Sequence, residues 1–125
     1  MLLKLSSTLL VVTNVAILIF GMVMVVYPQS ASPHDGQLLR SLGAAAVGMG
    51  LFGAMISVVP YRQKQRWSWF TLWYLPVFWT AHLVGQLPPS NDHVHQYALI
   101  AASILGLMLP VREFFLGGDT RADAG

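Results

Sequence analysis

An all-α membrane bundle of four bilayer-crossing helices is the fold that this 125-residue sequence predicts. Its side chains are 55% hydrophobic and only 10% charged, whereas a water-soluble domain carries about 25% charge. The few charges are clustered, so that 5–34, 41–61, 67–91 and 93–111 are uncharged runs. A bilayer crossing takes about 20 apolar residues. The whole chain, 1–125, is therefore read as a single transmembrane domain with no room for a separate soluble fold.

The first span is expected at about 6–27. Lys4 precedes it as in a secretory signal, but the apolar stretch from Leu9 to Tyr27 exceeds the roughly 7–15 residues of a signal core. It reads as an uncleaved helix that also directs insertion. Pro28, Ser30, Ser32 and Pro33 break the chain after it, and His34 and Asp35 fall in this first loop. The second span is expected at about 37–59, closed by Pro60. The third, about 67–87, carries Trp67, Trp69, Trp73 and Trp79, and Pro76 predicts a kink because it frees a carbonyl. Leu87-Pro88-Pro89-Ser90-Asn91-Asp92 separates it from the fourth span at about 94–110, where Ser90, Asn91 or Asp92 can cap the first turn. Pro110 precedes a tail, 111–125.

Lys4, Arg62, Lys64, Arg66, Arg112 and Arg121 fall on one side of this threading and Arg40 alone lies near the other. Cytoplasmic loops concentrate Lys and Arg, which places both termini in the cytoplasm. Tyr27 and Trp67 fall near interfaces, where amphipathic rings anchor spans. The pI near 9.3 thus reflects threading rather than a nucleic-acid partner.

Small residues recur at every fourth position as Ala46, Gly50 and Ala54 in the second span, and as Ala98, Ala102 and Gly106 in the fourth. Such ladders let helix backbones approach closely in lipid, within the bundle or against another subunit. Thr13 and Asn14 are isolated polar groups in the first span, expected to bond another helix.

Polar side chains gather on the outer side: His34 and Asp35 in the first loop, Asp92, His93 and His95 in the third, and Arg40, His82, Gln86 and Gln96 near the span ends. An ionisable group at the bilayer centre costs about 2.5–3.5 kcal/mol, and less near an end, so Arg40 and His82 are expected to turn inward or toward headgroups. Arg40, Trp79, His82 and Gln86 then form a candidate pocket for a lipid or quinone head, with imidazole or guanidinium donating to an oxygen. In the bland alternative, Arg40 pairs with Asp35 or Asp92 and His82 bonds a carbonyl. His93 and His95 would diverge by about 200° on a helix, which weakens them as a metal pair. No metal, haem or other cofactor of its own is expected. Without cysteine, an acid inside any span, or a Ser-His-Asp, Walker or paired-carboxylate pattern, catalysis has little to stand on.

The run Gln37-Leu38-Leu39-Arg40, then Gly43 and Gly48-Met49-Gly50-Leu51-Phe52, resembles the DoxX-like group of small four-helix bacterial membrane proteins. The likeness spans roughly Leu10 to Ala54 and carries over Arg40 and Gly43, with no catalytic residue. It does not extend to the tryptophan-rich third span. It implies a place in the bacterial cytoplasmic membrane and a role among small subunits of quinol-oxidising or other redox assemblies. The resulting expectation is an accessory, non-enzymatic subunit that packs against other membrane subunits or itself and presents a lipid- or quinone-facing wall. The rival is a homo-oligomeric lipid- or small-molecule-binding protein or transporter using the Arg40–Trp79–His82 pocket.

Overall fold

The structure, a computed structural model, describes residues 1–28, 32–85 and 93–116. All regular structure among the described residues is helical, as expected: α1 (Leu2–Val26), α2 (Pro33–Val58), α3 (Arg66–Leu72), α4 (Tyr74–Val84), α5 (Val94–Met108) and α6 (Val111–Phe115). α1, α2 and the run Val94–Phe115 are each long and apolar enough to cross a membrane. α1 is the central post, packed along α2 on one side and against α5 on the other, while α4 leans on α5. α2 meets the third span chiefly through α3 and the Tyr74 hydroxyl.

The helix ends depart from the expected spans for local reasons. α2 begins at Pro33, not 37, because Ser32 caps it: the Asp35 backbone N–H donates to Ser32 Oγ at 3.1 Å, and Ser32 Oγ donates to Asp35 Oδ2 at 2.6 Å. Ser-Pro-x-Asp is a legible start signal, a cap followed by proline at the first helical position. His34 and Asp35 therefore belong to the first turn of α2 rather than to a loop.

The expected third span is two segments broken at Trp73. Pro76 has no N–H for the Leu72 carbonyl, so the chain restarts at Tyr74 and places Pro76 in the first turn of α4, where no intrahelical donor is required. Pro110 does the same near the C-terminus. α5 stops at Met108, and residues expected in the tail form α6, whose Phe114 is buried against Tyr61 with centroids 4.9 Å apart. Phe115 lies edge-on to Trp69 at 5.2 Å, and Lys64 pairs with Glu113 at 3.3 Å.

Prolines explain three of the buried hydroxyls, those of Ser6, Ser7 and Tyr61. Pro110 removes the donor for the Gly106 carbonyl, and two side chains from elsewhere replace it: Ser6 of α1 and Tyr61 of the turn after α2, the latter at 3.0 Å. Ser6 Oγ and Tyr61 OH also lie 2.7 Å apart; with one hydrogen each, the two hydroxyls supply two of these three contacts at a time. The next carbonyl, of Leu107, accepts from the Trp69 indole N–H at 2.9 Å. At the other proline, Pro60, the Ile56 carbonyl accepts from the Tyr61 N–H instead, and the Ser57 carbonyl accepts from Ser7 Oγ at 2.8 Å. Apolar surroundings offer no water to freed carbonyls, so side chains must serve them.

Burial pushes the Tyr61 hydroxyl up to about 12, against a countering hydrogen bond from Ser6. Between pH 10 and about 12 the unfolded chain would ionise Tyr61 while the folded chain keeps its proton. Stability is thus fully present below pH 10 and falls as pH rises through that window. Tyr61→Phe is expected to remove this alkaline loss at a cost near neutrality of about 1 kcal/mol, read from equilibrium unfolding at pH 7 and pH 11. An unchanged pH dependence in the variant would refute it.

The small-residue seam is real but runs differently from the ladders. α2 buries Gly43, Ala46, Gly50, Gly53 and Ser57, alternating steps of three and four. Strict four-residue steps drift about 40° each round a helix of 3.6 residues per turn. Ala46 and Gly50 hold, whereas Ala54 is half-buried. In α5, Gly106 is buried beside Leu10, Ala102 is half-buried and Ala98 is exposed; the covered face is Gln96, Ser103, Gly106 and Leu107.

Candidate functional site

Among the described residues, three places that gather polar or open structure stand out. The first is a knot inside the bundle. Asn14 Nδ2 donates to the Leu10 carbonyl at 2.8 Å and to Ser57 Oγ at 3.3 Å. Tyr74 OH meets Asn14 Oδ1 and lies 2.9 Å from the Met49 carbonyl. Ser57 Oγ donates to the Gly53 carbonyl at 2.8 Å. The expectation that Asn14 bonds another helix is met, on α2 and α4 together. Thr13 instead donates to the Leu9 carbonyl of its own helix at 2.9 Å. Nothing in the knot is left to bind a solute, so it serves packing.

The second is an aromatic cage toward the far end of α4. Phe20 of α1 stands edge-on to Trp79 at 5.9 Å and to His82 at 5.6 Å. Phe78 lies 5.1 Å from Trp79 and 4.1 Å from His82. Trp79 is 1% and His82 7% exposed. His82 Nδ1 is 2.9 Å from the Phe78 carbonyl; a carbonyl only accepts, so Nδ1 carries the hydrogen and Nε2 of the neutral ring is an acceptor. His82 Nε2 and Trp79 Nε1 are both buried and have no hydrogen-bond partner.

Of the expected pocket, the fold brings Trp79 and His82 together and leaves Arg40 out. Arg40 is exposed. The buried seam continues from Gly43 toward half-buried Leu39, and Arg40 sits one position off it. Phe20 of α1, not α2, covers the pair. His82 does bond a carbonyl, as the bland reading had it, and its free nitrogen accepts rather than donates. Gln86 and Asp92 lie outside the described residues. In the outer cluster, His34 and Asp35 are exposed on α2, His93 precedes α5, and His95 is exposed. Among the described residues no group of three His, Cys, Asp or Glu side chains could hold a metal ion.

The third is a groove of about 410 Å³ between α2 and the α3–α4 break, lined by Ala45, Gly48, Met49, Phe52, Gly53, Ile56, Thr71 and Tyr74. Its hydroxyls are already committed, Tyr74 as above and Thr71 to the Trp67 carbonyl at 2.8 Å. A Cβ added at Gly48 would meet nothing within 4 Å. Sequence reading of the every-fourth ladder passed over Gly48, although it lies one turn beyond Ala44 on the same helix. It also missed the Ser6–Tyr61–Gly106 network, whose signal was Pro110 four residues after Gly106.

Compared with known proteins, the chain matches no family model, no curated protein and no solved structure.

Proposed function

We propose that this chain is an integral protein of the bacterial cytoplasmic membrane that crosses four times with both termini inside. In this reading it is a small accessory subunit, and its groove receives a transmembrane helix of another subunit. Gly48 carries the reading. Glycine within a helix costs about 1 kcal/mol relative to alanine, and no contact among the described residues requires it at this position. A small residue is useful there only if another backbone approaches. With the groove hydroxyls committed internally, the surface offered is apolar, which suits a helix in lipid. The redox character of the complex rests on the likeness over roughly Leu10 to Ala54 alone.

The test is a mild-detergent pull-down of the full chain and of Gly48→Leu, with mass spectrometry and an absorbance spectrum of each eluate. Wild type should bring a stoichiometric membrane partner bearing haem or quinone. Gly48→Leu should lose that partner at least tenfold with no loss of helix content and no fall in unfolding midpoint. A wild-type chain recovered alone as a monomer defeats the accessory role; a homo-oligomer would transfer the groove to self-association.

Threading has its own check, made clean by the absence of native cysteine. Single cysteines at Ser30 and Gln63 should react with an impermeant reagent from opposite sides of the membrane. Labelling of both from outside intact cells overturns the topology.

A further inference from the structure

Trp79 and His82 place a buried donor and a buried acceptor on neighbouring rings, neither of them partnered. Buried polar groups are nearly always hydrogen-bonded, because an unmet one forfeits its bonds to water and gains nothing. From this pair we infer a binding site for the hydroxyl group of a lipophilic alcohol or phenol drawn from the membrane.

Hydrogen-bond polarity selects the ligand class. Indole can only donate, and in the neutral imidazole whose Nδ1–H is held by the Phe78 carbonyl, His82 Nε2 accepts. A hydroxyl oxygen satisfies both at once, accepting from Trp79 and donating to His82. A quinone or ester carbonyl would serve Trp79 but set its lone pairs against those of His82. An ammonium would serve His82 and leave Trp79 unmet. The two rings are neighbours in one cage, with centroids 6.2 Å apart, and a single hydroxyl is the group proposed to serve both nitrogens. Phe20 and Phe78 wall both rings, which suits an aromatic or alkyl body attached to that hydroxyl. The site is built from α1 and α4 of one chain, so it stands whether or not the accessory role does.

The experiment uses the full chain in lipid nanodiscs and reads the indole N–H resonances. The Trp79 signal is identified by its loss in Trp79→Phe. Three probes are titrated: tert-butylhydroquinone kept reduced, its dimethyl ether, and dodecanol. The dimethyl ether can accept from Trp79 but has no hydrogen for His82. A saturable downfield shift of the Trp79 signal with the hydroquinone, at least tenfold weaker with the ether, is expected. Dodecanol acting like the hydroquinone marks a general hydroxyl site; hydroquinone alone marks a phenol site, and either supports the inference. His82→Phe should weaken binding at least tenfold, and if that variant misfolds the ether comparison on the wild-type chain still decides. An equal response to ether and hydroquinone overturns the inference. So does no response to any probe, including the case where Trp79 N–H shows magnetisation transfer from a resident water.

Discussion

Gly50→Leu is expected to force α1 away from α2 and to cost about 3 kcal/mol or more of bundle stability. A Cβ at Gly50 would lie 2.6 Å from the Leu18 backbone N and 2.7 Å from the Asn14 carbonyl oxygen. Those neighbours are backbone, so no rotamer change can relieve the clash. The same holds higher on the seam, where a Cβ at Gly21 would meet the Gly43 carbonyl oxygen at 2.6 Å and one at Gly43 would meet the Gly21 carbonyl oxygen at 2.7 Å. In the proposed membrane setting the helices would gain no hydrophobic driving force from each other, so a lost close approach would not be replaced by other burial. Gly48→Leu supplies the internal comparison, expected to cost nothing and to stabilise by up to about 1 kcal/mol because its Cβ meets nothing. Both are read by equilibrium unfolding in mixed micelles. Equal effects of the two substitutions would show that the α1–α2 contact is not set by the glycine seam.

Gly53→Ala is expected to cost about 2–4 kcal/mol, a large effect for a single methyl group. The added Cβ would fall on Asn14 Oδ1 and the Tyr74 hydroxyl, which must then separate and leave buried polar atoms unmet. Here the obstacle is side chain rather than backbone, so it can be removed. Tyr74→Phe alone should cost about 1 kcal/mol. Combined with Gly53→Ala it should recover at least about 1 kcal/mol relative to the sum of the single effects. The measurement is a double-mutant cycle on the same unfolding assay. Strict additivity would mean that the glycine does not act through Tyr74.

The two predictions mark the boundary between what could be read from residues and what could not. Asn14 as an inter-helix polar group was legible, because an amide in an apolar run has few other uses. Its partners, Tyr74 and Ser57, were not, since they lie 60 and 43 positions away and nothing local to any of the three sets their register. Pro76 announced a break, but whether the chain kinks or restarts depends on what serves the freed carbonyl. Arg40 was expected to turn inward or toward the headgroups on grounds of cost. A long side chain near a helix end can reach headgroups, so the rotation of α2, fixed by its glycines against α1, decided instead. Trp79 and His82 were expected near each other and their rings are neighbours, but which His82 nitrogen carries the hydrogen followed from one carbonyl, that of Phe78.

Composition and the spacing of charge determined by themselves that this chain is helical, where its apolar runs lie and which residues interrupt them. These properties are local: hydropathy, proline and capping groups act within a few residues of where they stand. Only the tertiary structure decided which glycines are seam and which is open, which hydroxyls serve the carbonyls freed by Pro60 and Pro110, and that His82 accepts. Each of those depends on the rotation and depth of one helix against another, quantities set jointly by distant side chains and by no single stretch of sequence.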